Sequence, residues 1–212
     1  MKPSFFIRLF LISFLPLVSF FSFSQQPIHP TIKAYRQQLG FMVAKSVRSG
    51  YKRPASYVYE PTLFQLEWQR PLSKKDKRIK LDYVLQPQVN VARYKDSLRY
   101  RTPEEFAKSW EAGININLLL HTVLFFNAQA NRGAELYLQG GSGPHYIHAS
   151  PSRQANGFIF SDHILLGFRA TVTQHLLFDV RGGLRHLSNA SLKEPNLGLD
   201  NVIVGAGIRM LH

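Results

Sequence analysis

Three side chains near the C-terminal end, His186, Ser188 and Asp200, are of the types that can hydrolyse an ester together. A serine hydroxyl is a weak nucleophile until a base takes its proton. Imidazole suits that task near neutral pH, and a carboxylate holds its tautomer and stabilises the imidazolium. All three lie in "RHLSNASLKEPNLGLD", residues 185–200. Counting back by twos from His186 gives Leu184, Gly182, Val180, Phe178 and Leu176, while Asp179, Arg181, Gly183 and Arg185 hold the other parity. His186 and Ser188 therefore continue the apolar row of a strand. Asp200 likewise shares parity with Val202, Val204, Ala206, Ile208 and Met210. A hairpin joining the two segments would bring Asp200 beside His186 and Ser188. Polar groups on such a face are costly unless they satisfy one another or serve a function. A lipid substrate would give them one.

The elements that must position these groups are strands. In "SWEAGININLLLH", Trp110, Ala112, Ile114, Ile116, Leu118 and Leu120 share one parity, against Glu111, Gly113, Asn115, Asn117 and His121. "FQLEW" sets Phe64, Leu66 and Trp68 against Gln65 and Glu67, and "GFIFSDHILLGFRA" alternates with Asp162 as a defect. This two-residue period predicts strands at 37–47, 61–71, 79–93, 108–125, 134–148, 157–172, 175–188 and 200–211. Most reach the ~9–11 residues that a tilted strand needs to cross hydrocarbon. Polar residues on the second face suit a wet barrel interior. The expected fold is all-β, an eight-stranded antiparallel transmembrane β-barrel. A soluble sandwich or lipocalin-like barrel would bury the apolar parity instead, and periodicity alone does not separate the two.

The first 24 residues read as a signal peptide: Lys2 and Arg8, an apolar run from Leu9 to Phe23 interrupted by Pro16, then small Ser22 and Ser24 flanking Phe23, with cleavage expected near Ser24–Gln25. That run is shorter than the ~20 residues of a spanning helix. Residues 25–212 then form one barrel domain with both termini on the periplasmic side. The longer connections at 47–61, 94–105, 149–157 and 189–199 become outer loops, and 73–78, 127–133 and 172–174 become inner turns. The chain has no cysteine, which excludes a disulfide framework, a thiol nucleophile and a lipid anchor on Cys. Its 26 Lys and Arg against 13 Asp and Glu give +13, and +11 without Lys2 and Arg8. For an exported protein this charge fits anionic lipid head groups, or a solvated lumen and loops, better than nucleic acid.

The stretch "HLSNASLKEPNLGLD" resembles the outer-membrane lipid A 3-O-deacylases, eight-stranded barrels also called acyloxyacyl hydrolases, with supporting similarity through the last four predicted strands. In that pattern a His, one intervening residue and Ser-Asn-Ala precede a Pro-Asn-x-Gly turn and an acidic residue. His186, Ser188, Asn189, Ala190, Pro195, Asn196, Gly198 and Asp200 stand at those positions. The family acid is typically Glu; Asp200 is one methylene shorter. The resemblance implies an outer-membrane serine esterase that removes the acyl chain ester-linked at the 3 position of lipid A, with Ser188 as nucleophile, His186 as base and Asp200 as its orienting acid. Glu194 is a rival acid. An oxyanion needs hydrogen-bond donors, for which the Asn189 N–H and Asn196 are candidates beside a plain turn role for Asn196. The chemistry requires no metal and no cofactor.

Other features are weaker. "QGGSGPHYIH" fails as a nucleophile elbow, because Pro144 replaces the second glycine after Ser142. His145 and His148 lack partners at metal-site spacing and are expected near the outer rim, with the glycines permitting close packing. Lys52, Arg53, Lys95, Arg99, Arg101 and Arg153 could meet lipid A phosphates or be solvated surface. Two alternatives stay open: a non-enzymatic adhesive or structural barrel, and a phospholipase or acyltransferase acting on outer-leaflet lipid.

Overall fold

The computed structural model describes residues 37–50, 57–73, 79–96, 106–127 and 132–211. The signal-peptide segment 1–24 and the loop residues Lys52, Arg53, Arg99 and Arg101 lie outside the described residues. Among the described residues nine strands follow in order: β1 (Gln38–Ser49), β2 (Tyr57–Pro71), β3 (Ile79–Asp96), β4 (Ala107–Asn127), β5 (Arg132–Ser142), β6 (Pro144–Ile147), β7 (Gly157–Thr173), β8 (Leu176–Ser188) and β9 (Leu199–Leu211). Each pairs antiparallel with its neighbours, and β1 also pairs with β9, from Gln38 opposite Leu211 to Ser49 opposite Asn201. The sheet therefore closes into a ring and leaves no free edge.

The strand expected over 134–148 is divided into β5 and β6, which together fill one position in the ring, both lying between β4 and β7. The interruption is Gly143, where an added Cβ would sit 1.9 Å from the Ile114 carbonyl oxygen. Only a residue without a side chain lets the backbone come that close to β4. Eight positions around the ring thus match the eight predicted strands. The outlines differ at one rim: β2 begins at Tyr57 instead of 61, pairing Tyr57 with Asp96. Pro61 made that stretch look like a loop. It lies just past the last β1–β2 ladder pair, Lys45 with Thr62, so its missing N–H costs no bond to β1.

The period-two pattern maps onto the two faces of the wall. Phe64, Leu66, Val89, Val91, Ile116, Leu118, Leu166, Phe178, Val204 and Ile208 point outward and are exposed. Such a continuous apolar band would be an aggregation surface in water and is what hydrocarbon solvates. Inside, the interior differs from the wet lumen expected, because it is packed. Arg169, Arg185 and Arg209 are among the most completely buried side chains, and acids meet them. Asp179 Oδ2 accepts from Arg169 Nε at 2.8 Å and Arg209 Nε at 2.9 Å. Arg181 and Arg209 both reach Glu67. Towards the rim that ends β8, Arg185 donates to both oxygens of Glu111 at 3.0 and 2.6 Å, and Tyr59 donates to the same carboxylate at 2.9 Å. An apolar cluster of Tyr57, Tyr59, Ala92, Ile147, Ile159, Leu187 and Leu199 closes the interior at this end.

This packed interior predicts a stability effect away from the outer wall. Removing one partner of a buried ion pair leaves an uncompensated charge, at a cost of about 3–5 kcal/mol. Glu111→Ala strips the acid from Arg185, Tyr59 and His145, whose Nδ1 lies 3.6 Å from it. We expect a clear fall in the temperature at which the folded band converts to the unfolded one on a gel. Leu118→Ala, on the exposed outer face of the same strand, should change that temperature much less.

Candidate active site

β8 and β9 position the first two groups by register alone. His186 and Asp200 are direct cross-strand partners, so their Cβ atoms project from the same face. His186 Nδ1 lies 2.7 Å from Asp200 Oδ1. The side chains are 37% and 17% exposed, on the outside of the ring. Because the strands sit face to face at this point, the shorter Asp spans the gap. An imidazole whose Nδ1–H is donated to a carboxylate presents Nε2 as its acceptor, the tautomer a general base needs.

Ser188 ends β8, two residues beyond His186 on the same face and opposite Phe160 of β7. Among the described residues no hydrogen bond joins its hydroxyl to the imidazole; the contact drawn in this structure is His186 to Asp200. Bonds between nucleophile and base are often long before substrate arrives. Glu194, the rival acid, is exposed in the loop after β8 and accepts the Asn196 N–H at 3.1 Å. It lines an open hollow of ≈ 300 Å³ with Ser150, Asn156 and Lys193, and has no contact with His186 among the described ones.

The loop from Asn189 to Gly198 is folded tightly against this pair. Leu192 N–H donates to the Asn189 carbonyl at 3.0 Å, around Ala190 (φ 51) and Ser191 (φ 61). Two consecutive non-glycine residues at positive φ cost about 1–3 kcal/mol each, a strain tolerated immediately after the serine. Asn189 is buried, and its N–H donates to Asn196 Oδ1 at 3.0 Å. The two oxyanion candidates are therefore bonded to each other. The Asn189 N–H is committed, whereas among the described residues Asn196 Nδ2 has only a long contact of 3.4 Å with Ser191 Oγ. Gly198 (φ 69) lies directly on the imidazole: a Cβ there would stand 2.5 Å from His186 Cε1.

One neighbour escaped the sequence reading as anything but a defect in alternation. Asp162 of β7 faces outward opposite His186, so a second carboxylate stands beside the imidazole strand. It accepts from Ser142 Oγ at 2.5 Å. The broken parity was itself the signal, since a charged residue in an outward apolar row has the same cost as His186. The other residues of "QGGSGPHYIH" divide between faces. His145 is buried inside, against Asn115 Oδ1 at 2.9 Å, instead of at the rim. His148 does lie at the rim, stacked on Trp110. Among the described residues no cluster of three His or acidic side chains is arranged to hold a metal ion. Arg153, one of the basic loop residues, turns to the protein: it lies over the Tyr57 ring and donates to the Leu197 carbonyl at 2.7 Å.

Comparison with known proteins bears on this arrangement. The family model described as Lipid A 3-O-deacylase (PagL) matches residues 63–209. The lipid A deacylase PagL of Bordetella bronchiseptica is 39% identical over 75 residues, which cover 33% of this chain. The chain spans only 39% of that relative's length in the match. Among solved structures, that of the outer membrane enzyme PagL superposes with a TM-score of 0.52 at 14% identity, covering 79% of this chain and 97% of that one. The overlay supports the barrel fold.

Proposed function

The chain belongs to the lipid A 3-O-deacylase family, and from that premise we propose that it is an outer-membrane serine esterase that removes the 3-O-linked acyl chain of lipid A. Ser188 Oγ attacks the ester carbonyl while His186 Nε2 takes its proton and Asp200 holds Nδ1–H. The tetrahedral oxyanion draws on the Asn196 Nδ2 group, the donor left with little else to bond. Collapse of the intermediate expels the sugar 3-oxygen, which takes the proton back from His186. A water deprotonated by the same imidazole then attacks the acyl-Ser188 ester, and its collapse releases the hydroxy fatty acid.

The observation that carries this reading is the 2.7 Å contact between His186 and Asp200 on the outside of the ring, two residues from a serine on the same face. Inside the barrel such a pair would be structural. On the outer wall it stands where the fatty chains of a glycolipid in the same leaflet can lie along Leu184, Val202 and Ile164. Leu192 and Leu197, 71% and 69% exposed in the loop beside it, suit the head-group boundary.

Mass spectrometry of lipid A from cells with and without the protein tests the proposal. We expect loss of one 3-hydroxyacyl chain and appearance of the free hydroxy fatty acid. Unchanged lipid A with the folded barrel present would reject it, and release of phospholipid fatty acids instead would move the assignment to a phospholipase.

A further inference from the structure

The acid of the proposed triad is held from outside the family motif. Asp200 stands where the loop enters β9, and both its backbone groups are taken by the opposite side of the seam between β9 and β1. The Asp200 N–H donates to Tyr57 Oη at 2.7 Å. Its carbonyl accepts the Gly50 N–H at 2.7 Å and the Tyr57 hydroxyl at 3.4 Å. Tyr57 is itself fixed: its ring is almost fully buried in the rim cluster, and the Arg153 guanidinium lies 4.6 Å over its face. Arg153 closes the arrangement on the catalytic loop, donating from Nη2 to the Leu197 carbonyl while its own carbonyl accepts the Leu197 N–H at 2.9 Å. Tyr57, Arg153 and Leu197, from three hairpins, thus interlock, and Tyr57 carries the connection to the Asp200 peptide.

Resting on the triad reading above, we propose that Tyr57 and Arg153 are positioning residues for the reaction, holding the Asp200 peptide so that its short carboxylate meets His186 Nδ1. A side chain with a single methylene has little reach of its own, so the placement of the carboxylate follows the placement of its Cα. A Glu could absorb a backbone shift by changing rotamer; Asp200 cannot to the same degree. Tyr57 precedes residue 63, where the match to the family begins. The buried phenol does two things at once. It closes the barrel interior with its ring and orients an outward-facing acid with its hydroxyl.

The test is a double-mutant cycle read on kcat with purified full-length barrel and lipid A. Tyr57→Phe keeps the ring under Arg153 and removes only the hydroxyl. In the Asp200 protein we expect kcat to fall about three- to tenfold with KM unchanged, the range that one neutral hydrogen bond commands. In the Asp200→Asn background the same change should cost less than about twofold, because the group it positions is already disabled. In an Asp200→Glu background the longer acid should recover most of the loss. A purely structural role would lower all three proteins equally, and that result, or wild-type kcat for Tyr57→Phe, overturns the proposal. Heat-modifiable gel migration reports on folding throughout. Labelling of Ser188 by a fluorophosphonate needs the triad but no lipid A. If the wild-type protein left lipid A intact, the substrate assignment would fall while the same cycle on labelling rate still decided the positioning role.

Discussion

Ser188→Ala is expected to lower deacylation at least about a thousandfold, with the barrel folded and inserted as before. Ser188 is the last residue of β8, and its side chain carries no hydrogen bond that the ladder requires. Truncating it to Ala therefore removes a reactive atom and almost nothing else. His186→Asn should lose as much, since groups that act as a unit fail together and not additively. The acid is more graded. Asp200→Asn leaves the imidazole with the wrong partner at Nδ1 and should cost tens- to thousandfold, whereas Glu194→Gln, bonded to the Asn196 N–H and exposed, should change the rate by less than about threefold. The measurement is the rate of 3-hydroxy fatty acid release from purified lipid A, with heat-modifiable migration as the folding control. Retained activity in Ser188→Ala would end the nucleophile assignment, and equal losses in the two acid variants would undo the choice of Asp200.

The outward position of these groups was legible because a β-strand has a strict period of two. Once His186 and Ser188 fell on the parity of Leu184 and Val180, and Asp200 on that of Val202 and Val204, the three had to share the apolar face of the wall, which the closed sheet turns outward. The same arithmetic sorted the packed interior from the apolar band. It could not see how full the interior is, because parity says which way Arg185 points but not that Glu111, in β4's polar row and 74 positions away in sequence, comes to meet it. Nor could it see the break at Gly143, since "QGGSGPHYIH" keeps its alternation across the interruption and only the approach of Ile114 reveals it. The loop was the least legible part. Asn189 and Asn196 were both sensible donors by type, yet their bond to each other depends on a turn through Ala190 and Ser191 at positive φ, where neither residue advertises that conformation. Tyr57 was invisible for a different reason: its role is carried by one hydroxyl on a backbone amide 143 positions away.

Gly198→Ala should be the most damaging change to a residue that takes no part in the chemistry. Two costs fall on it together. The backbone there has φ 69, a conformation that side chains other than glycine adopt at a cost of about 1 kcal/mol or more. The added Cβ would also stand 2.5 Å from His186 Cε1 and 3.2 Å from Nε2, so the ring or the loop must move. The ring is tethered at Nδ1 by Asp200, and rotation away from the new methyl lengthens that 2.7 Å contact or turns Nε2 from Ser188. A displacement near 1 Å in a base can cost about a hundredfold, and we expect a fall of that size in kcat with little change in KM, because lipid binding on the apolar wall is untouched. Gly182→Ala is the matched control. It lies on the same outward face of β8, its added Cβ would meet nothing nearer than 3.4 Å, and its φ is ordinary, so its rate should stay within about twofold of wild type. Gly198→Asn separates the two costs. Asn tolerates positive φ far better than Ala does, but it carries the same Cβ, so if contact with the imidazole dominates, Asn should be as inactive as Ala. If Asn instead restored the rate, backbone strain alone would account for the loss, and the glycine would be serving the turn and not the ring.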